Sequence, residues 1–135
     1  MQESIQYRPS FALLELDLAP GESVRAEAGA MVSHADGVAI ETGATGGLLG
    51  SLKRSVLGGE SLFQNTFTAE SGGSVTLAPA LPGDVIRHDL DDERLLVQSG
   101  SFLAAAAAID LDTAFGGAKT FFGSEGLFLL ELTGT

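Results

Sequence analysis

The chain has 135 residues, no cysteine and no tryptophan, and seven Lys and Arg against eighteen Asp and Glu, a formal net charge of −11. That length suffices for one domain to bury a core without disulfides or a metal, and the missing thiols remove disulfide scaffolds, Cys-ligated zinc and Cys nucleophiles together. So large a carboxylate surplus repels nucleic-acid phosphates and anionic lipid unless the few cations are gathered in one place.

The N-terminal Met-Gln-Glu-Ser-Ile-Gln-Tyr-Arg-Pro has an early Glu and no apolar signal-peptide stretch. The longest apolar run, residues 102–109, is far short of the roughly 20 needed to cross a membrane as a helix. A soluble, cytoplasmic chain is expected. In chain order, apolar residues alternate in Val24-Arg25-Ala26-Glu27-Ala28, Val38-Ala39-Ile40-Glu41, Val75-Thr76-Leu77 and Ile109-Asp110-Leu111-Asp112, the period of half-buried strands. Turn signals stand between them at Pro20-Gly21, Asp36-Gly37, Ser71-Gly72-Gly73, Pro82-Gly83, Asp91-Asp92 and Ser99-Gly100. Short strands punctuated this closely predict an all-β, antiparallel sandwich or barrel.

Residues 43–59 (GATGGLLGSLKRSVLGG) are glycine-dense yet apolar. Leaving Leu48, Leu49, Leu52, Val56 and Leu57 wet would forfeit about 1.5–3 kcal/mol each. The segment is a loop folded over one end of the sandwich, or strands interrupted by glycine bulges, or a contact surface for an identical subunit, another protein or a lipid. Residues 102–109 (FLAAAAAI) have the highest helix propensity, but their counterpart in the repeat described next contains Asp36-Gly37, so they are expected as strand and turn. Leu127-Phe128-Leu129-Leu130 lacks alternation and is expected as a strand buried on both faces.

The sequence also aligns with itself. Residues 21–42 run without a gap against residues 92–113, pairing Glu22 with Glu93, Gly29 with Gly100, Val38 with Ile109 and Thr42 with Thr113. Residues 58–63 (GGESLF) then meet 123–128 (GSEGLF). One domain built of two pseudo-repeats, about 1–72 and 73–135, is expected. Each copy would bury its apolar side against the other or against a neighbouring subunit.

Catalytic and metal chemistry find little footing. His34 and His88 are the only histidines, and neither forms the His-x-His of a metal-binding barrel. Arg87-His88-Asp89-Leu90-Asp91-Asp92-Glu93 lacks the sixth-position glycine of a helical calcium loop and is expected as an acidic turn. Gly50-Ser51-Leu52-Lys53-Arg54-Ser55 lacks the Gly-Lys step of a phosphate loop, and Gly59-Glu60-Ser61-Leu62-Phe63 lacks the closing glycine of a nucleophile elbow. No catalytic residue, metal or cofactor is expected. With Tyr7 the sole tyrosine, no aromatic and cationic interleaving favours RNA. Lys53-Arg54 is the one adjacent basic pair; it either makes an ion pair with Glu60 or a neighbouring subunit, or docks an anionic lipid head or acidic partner.

Residues 46–90, above all the Lys-Arg-Ser-x-Leu-x-Gly-Glu-Ser-Leu-Phe-x-Asn-x-Phe pattern from Lys53 to Phe67, carry a resemblance, together with Pro20-Gly21-Glu22, residues 28–32, 97–104 and 122–128. The chain resembles the mitochondrial-biogenesis family named for altered inheritance of mitochondria, in its bacterial and archaeal branch. That resemblance implies a β-sandwich similar to the tryptophan RNA-binding attenuator protein and a trimeric or ring-like assembly. For eukaryotic members it implies a role in organising the mitochondrial inner membrane. It carries over no catalytic residues. Family chains usually continue past the Leu132-Thr133-Gly134-Thr135 at which this sequence stops. The reading that follows is a non-enzymatic homo-oligomeric scaffold or protein-interaction module, with Leu49, Leu52, Lys53, Arg54, Leu57, Glu60 and Phe63 at the interface. The alternative is a lipid or small-ligand binder, in peripheral contact with a membrane, that uses residues 46–67 with Lys53 and Arg54.

Overall fold

A computed structural model describes residues 1–44, 63–113 and 129–134. Over these residues the chain is all-β, with strands β1 (Gln2–Gln6), β2 (Leu13–Leu18), β3 (Glu22–Glu27), β4 (Met31–His34), β5 (Val38–Ala44), β6 (Phe63–Ala69), β7 (Gly73–Leu77), β8 (Glu93–Gln98), β9 (Ala104–Ala106), β10 (Asp110–Thr113) and β11 (Leu129–Gly134). Two compact units are formed from interleaved segments, the first from Met1–Thr42, Gln64–His88 and Leu103–Ala107.

The first unit is a sandwich of two four-stranded sheets, ordered β1-β2-β7-β4 and β5-β6-β3-β9. In β2 the alternation Leu14-Glu15-Leu16-Asp17-Leu18 sends three leucines inward, each under 9% exposed. Val75 and Leu77 join them from β7, and Val24, Ala26, Phe67 and Ala69 close the cluster from β3 and β6. Phe67, Leu77, Val24 and Val75 are essentially sealed from water, which stabilises the fold by about 1.5–3 kcal/mol for each large side chain. The alanine run behaves as strand and turn: Ala104–Ala106 pairs with β3 opposite Ala26, Arg25 and Val24, and its small side chains let the backbone lie against a central strand.

Turns follow the local chemistry. Pro20 occupies the second position and Gly21 (φ +85°) the third of a reversal in which Glu22 N–H donates to Ala19 C=O at 2.9 Å, the residue usage of a type II turn. Gly72 is also left-handed, and a Cβ there would sit 3.3 Å from the Leu18 carbonyl oxygen. In β4 the register against β7 shifts between Met31 and Ser33, leaving Val32 as a bulge.

The second unit contains the three-stranded sheet β10-β11-β8. Of the run at residues 127–130 expected to be buried on both faces, Leu127 and Phe128 lie outside the described residues, while Leu129 opens β11 half-exposed. Leu130 and Leu132 are buried while their neighbours are half-exposed, and the outward Glu131 pairs with Arg94 at 3.4 Å. A carboxylate and a guanidinium on the outer side keep that face wet. The sheet has a close parallel in the first unit. β8 occupies the residues aligned with β3, and the antiparallel partners Glu22↔Ala69 and Glu27↔Gln64 are matched by Glu93↔Gly134 and Gln98↔Leu129. Asp92, aligned with Gly21, shares its positive φ at 53°. The parallel stops at residues 83–88, which precede β8 as β2 precedes β3 but form no strand.

Two substitutions test this account by urea denaturation. Phe67→Ala should cost about 3–5 kcal/mol by opening a cavity between the sheets. Gly72→Ala should cost about 1–2 kcal/mol from backbone strain, whereas Gly37→Ala, with ordinary φ and open space around its Cβ, should be neutral or slightly stabilising.

Candidate functional site

Of the residues expected at the interface, Leu49, Leu52, Lys53, Arg54, Leu57 and Glu60 lie outside the described residues. Phe63 is described, and its setting is informative. It opens β6, where the two-residue period puts it on the same side as Phe67 and Ala69. Those two are fully buried, yet Phe63 is 52% exposed. Asn65, which accepts a hydrogen bond from the Thr42 hydroxyl at 2.7 Å, stands between them on that side, so Phe63 is set apart from the core.

The opposite face of the same sheet is polar. Ser23 and Thr68 share a hydrogen bond at 2.8 Å, and the cross-strand partners Arg25↔Thr66 and Glu27↔Gln64 follow along the strand pair. Gln64 is only 4% exposed, and the Arg25 Nε is buried without a hydrogen-bond partner. Burial pushes the Glu27 carboxyl above its ordinary range. Sequence alternation placed Arg25 and Glu27 outward, but only the paired strands reveal that outward here means half-buried. Two ion pairs elsewhere are ordinary surface contacts. Arg8 lies 2.9 Å from Asp84 and lowers its pKa through their hydrogen bond, and the N-terminal ammonium lies 2.7 Å from Glu22 with the same effect.

The histidines serve no shared site in this geometry. His34, on β4, is exposed; its Nδ1–H donates to the Ala35 carbonyl at 2.8 Å, and its ring lies 6.5 Å from that of Phe67. His88 is exposed in the irregular segment before β8. Among the described residues, no three His, Asp or Glu side chains converge as a metal-binding group. Among them too, no helix is long and apolar enough to cross a membrane.

Because Glu27 has a higher pKa folded than unfolded, its contribution is unfavourable above the folded pKa and vanishes below the unfolded value of about 4.3. Glu27→Gln should therefore raise thermal stability at pH 7. The gain should disappear as pH falls below the ordinary carboxylate range, as read from melting curves of both proteins between pH 3 and 8.

Comparison with known proteins adds the lineage. An uncharacterised protein of Streptococcus pyogenes serotype M6 is 31% identical over 142 residues, covering 99% of this chain and 57% of its own length. The crystal structure of a Streptococcus pyogenes protein superposes with a TM-score of 0.75 at 28% identity, covering 98% of this chain and 60% of that one. This chain thus spans less than two thirds of either relative. The model of one family, described as Mitochondrial biogenesis AIM24, matches residues 4–135, so with nearly its whole length accounted for, the chain belongs to the mitochondrial biogenesis AIM24 family.

Proposed function

We propose that this protein is a non-enzymatic scaffold that assembles with copies of itself, as a trimer or ring, and uses residues 46–67 as its subunit interface. The observation that carries this reading is Phe63, 52% exposed on a strand whose other inward aromatic, Phe67, is fully buried. It continues directly from a glycine-dense segment whose Leu49, Leu52 and Leu57 require cover. Within that segment Lys53 and Arg54 supply cations to a chain of net charge −11, so an acidic neighbouring copy is an attractive partner for them. The self-alignment of the sequence supports the same reading. Two related sheets with matching register give one chain two similar faces, and repeated units of this kind complete their burial through neighbours.

Size-exclusion chromatography with light scattering tests the interface. Leu57→Ser combined with Phe63→Ser should reduce the assembly mass several-fold while far-UV circular dichroism stays native. An unchanged mass with the fold intact would overturn the assignment.

A further inference from the structure

The connection between β4 and β5 carries the chain from one sheet of the first unit to the other. It is a reversal, Ala35-Asp36-Gly37-Val38, in which Val38 N–H donates to Ala35 C=O at 3.0 Å. In such a turn the N–H of the third residue, here Gly37, is left out of the closing bond. Asp36 and Gly37 are both exposed. Gly37 has an ordinary φ, and a Cβ placed on it would meet nothing within 4 Å. Among the described residues the Asp36 carboxylate holds no hydrogen bond and no ion pair, so the side chain is free to rotate onto the amide that follows it.

The backbone does not require this dipeptide. In the self-alignment Asp36-Gly37 falls opposite Ala107-Ala108, where a turn joins β9 to β10 without either residue. Asp36-Gly37 is the only Asp-Gly in the chain, which has no Asn-Gly, and every other Asp is followed by a residue with a side chain. Asp84 is in addition held through both carboxylate oxygens by Arg8.

We infer that Asp36-Gly37 is a site of spontaneous covalent modification, at which the peptide link passes from the α-carboxyl to the β-carboxyl of Asp36 and leaves isoaspartate. The Gly37 amide nitrogen attacks the Asp36 Cγ. As the N–Cγ bond forms, the amide proton and the carboxyl hydroxyl depart as water, and a five-membered succinimide results. Water then adds at the former backbone carbonyl and breaks its bond to nitrogen, so that the chain runs on through Cγ, or it adds at Cγ and restores aspartate. One water leaves and one returns, with nothing oxidised or reduced. A side chain on the attacking residue crowds the approach of its nitrogen; glycine allows it.

The product is felt in the core. Val38 is 4% exposed and belongs to the apolar cluster between the sheets. It packs so closely on Gly73 that a Cβ there would lie 2.8 Å from the Val38 Cγ2 and 3.4 Å from the Ala35 Cβ. Ala35 is fixed in turn by its N–H, which donates to Ser74 C=O at 2.8 Å. Isoaspartate inserts one methylene into the main chain between these two anchors. A close-packed interior does not absorb it, so the turn's hydrogen bond or the fit of Val38 is lost and the sandwich weakens as the molecule ages. This goes beyond the proposed assembly and rests on no part of it.

Purified protein held for weeks at neutral pH and body temperature tests the inference. Two readouts serve: tryptic mapping, and methyl transfer from labelled S-adenosylmethionine by an isoaspartyl carboxyl methyltransferase. The tryptic peptide of residues 26–53 should split into two chromatographic species of equal mass, and methyl acceptance should rise several-fold over fresh protein. Gly37→Ala should slow the conversion several-fold and Asp36→Glu should abolish it, both with native circular dichroism. Converted protein, separated by ion exchange, should unfold at lower urea than unconverted protein, whereas aged Gly37→Ala should keep its midpoint. No isoaspartate at residue 36 of the folded protein, at a time when the isolated peptide 26–53 has converted, would overturn the site. Conversion spread evenly over the other aspartates would overturn its selectivity, and an unchanged midpoint in the converted protein would overturn its coupling to the core.

Discussion

Everything described in the first unit depends on two alternating faces closing on one another: Leu14, Leu16, Leu18, Val75 and Leu77 from one sheet, and Val24, Ala26, Phe67 and Ala69 from the other. A strand's side chains repeat every second residue, so this closure fixes register as well as stability. Sliding β3 by one position against β6 would drive Arg25 and Glu27 into the apolar layer and lift Val24 and Ala26 out of it. Desolvating those two charges is costly enough to forbid the alternative.

The same closure determines what the outer side of β3 and β6 offers. Once register is set, Ser23, Arg25, Glu27, Thr66, Thr68 and the buried Gln64 must share the other face. Its character is polar and partly dry, an environment suited to holding groups in fixed orientation. In the aligned sheet of the second unit, the position of Arg25 is taken by Leu96, which is 44% exposed. One pattern of pairing therefore carries two different outer faces, and a chemistry assigned to one sheet does not transfer to the other.

Much of the architecture was legible because it rests on local rules. Alternation marked β3, β5, β7 and β10, and Pro20-Gly21 marked a reversal that the backbone adopts. The alanine run was read correctly against its helix propensity, since a strand context overrides intrinsic preference. β2 went unremarked, although Leu14-Glu15-Leu16-Asp17-Leu18 carries the same signal and supplies three core leucines. Of the run at residues 127–130 only Leu129 and Leu130 are described, and the half-exposure of Leu129 departs from a doubly buried strand because Glu131, on the same face, pairs with Arg94 at the surface. The half-burial of Arg25 and Gln64 was not legible at all. It arises from pairings between residues some forty positions apart, which no local pattern encodes.

One irregularity has a wider meaning. β4 is the outermost strand of its sheet, all four of its residues are exposed, and Val32 interrupts its register with β7. A smooth, apolar margin would template the addition of strand after strand from other chains, the route to fibrous deposits. An extra residue there sharpens the local twist and breaks the ladder's spacing. The bulge thereby makes this edge a poor template for such growth.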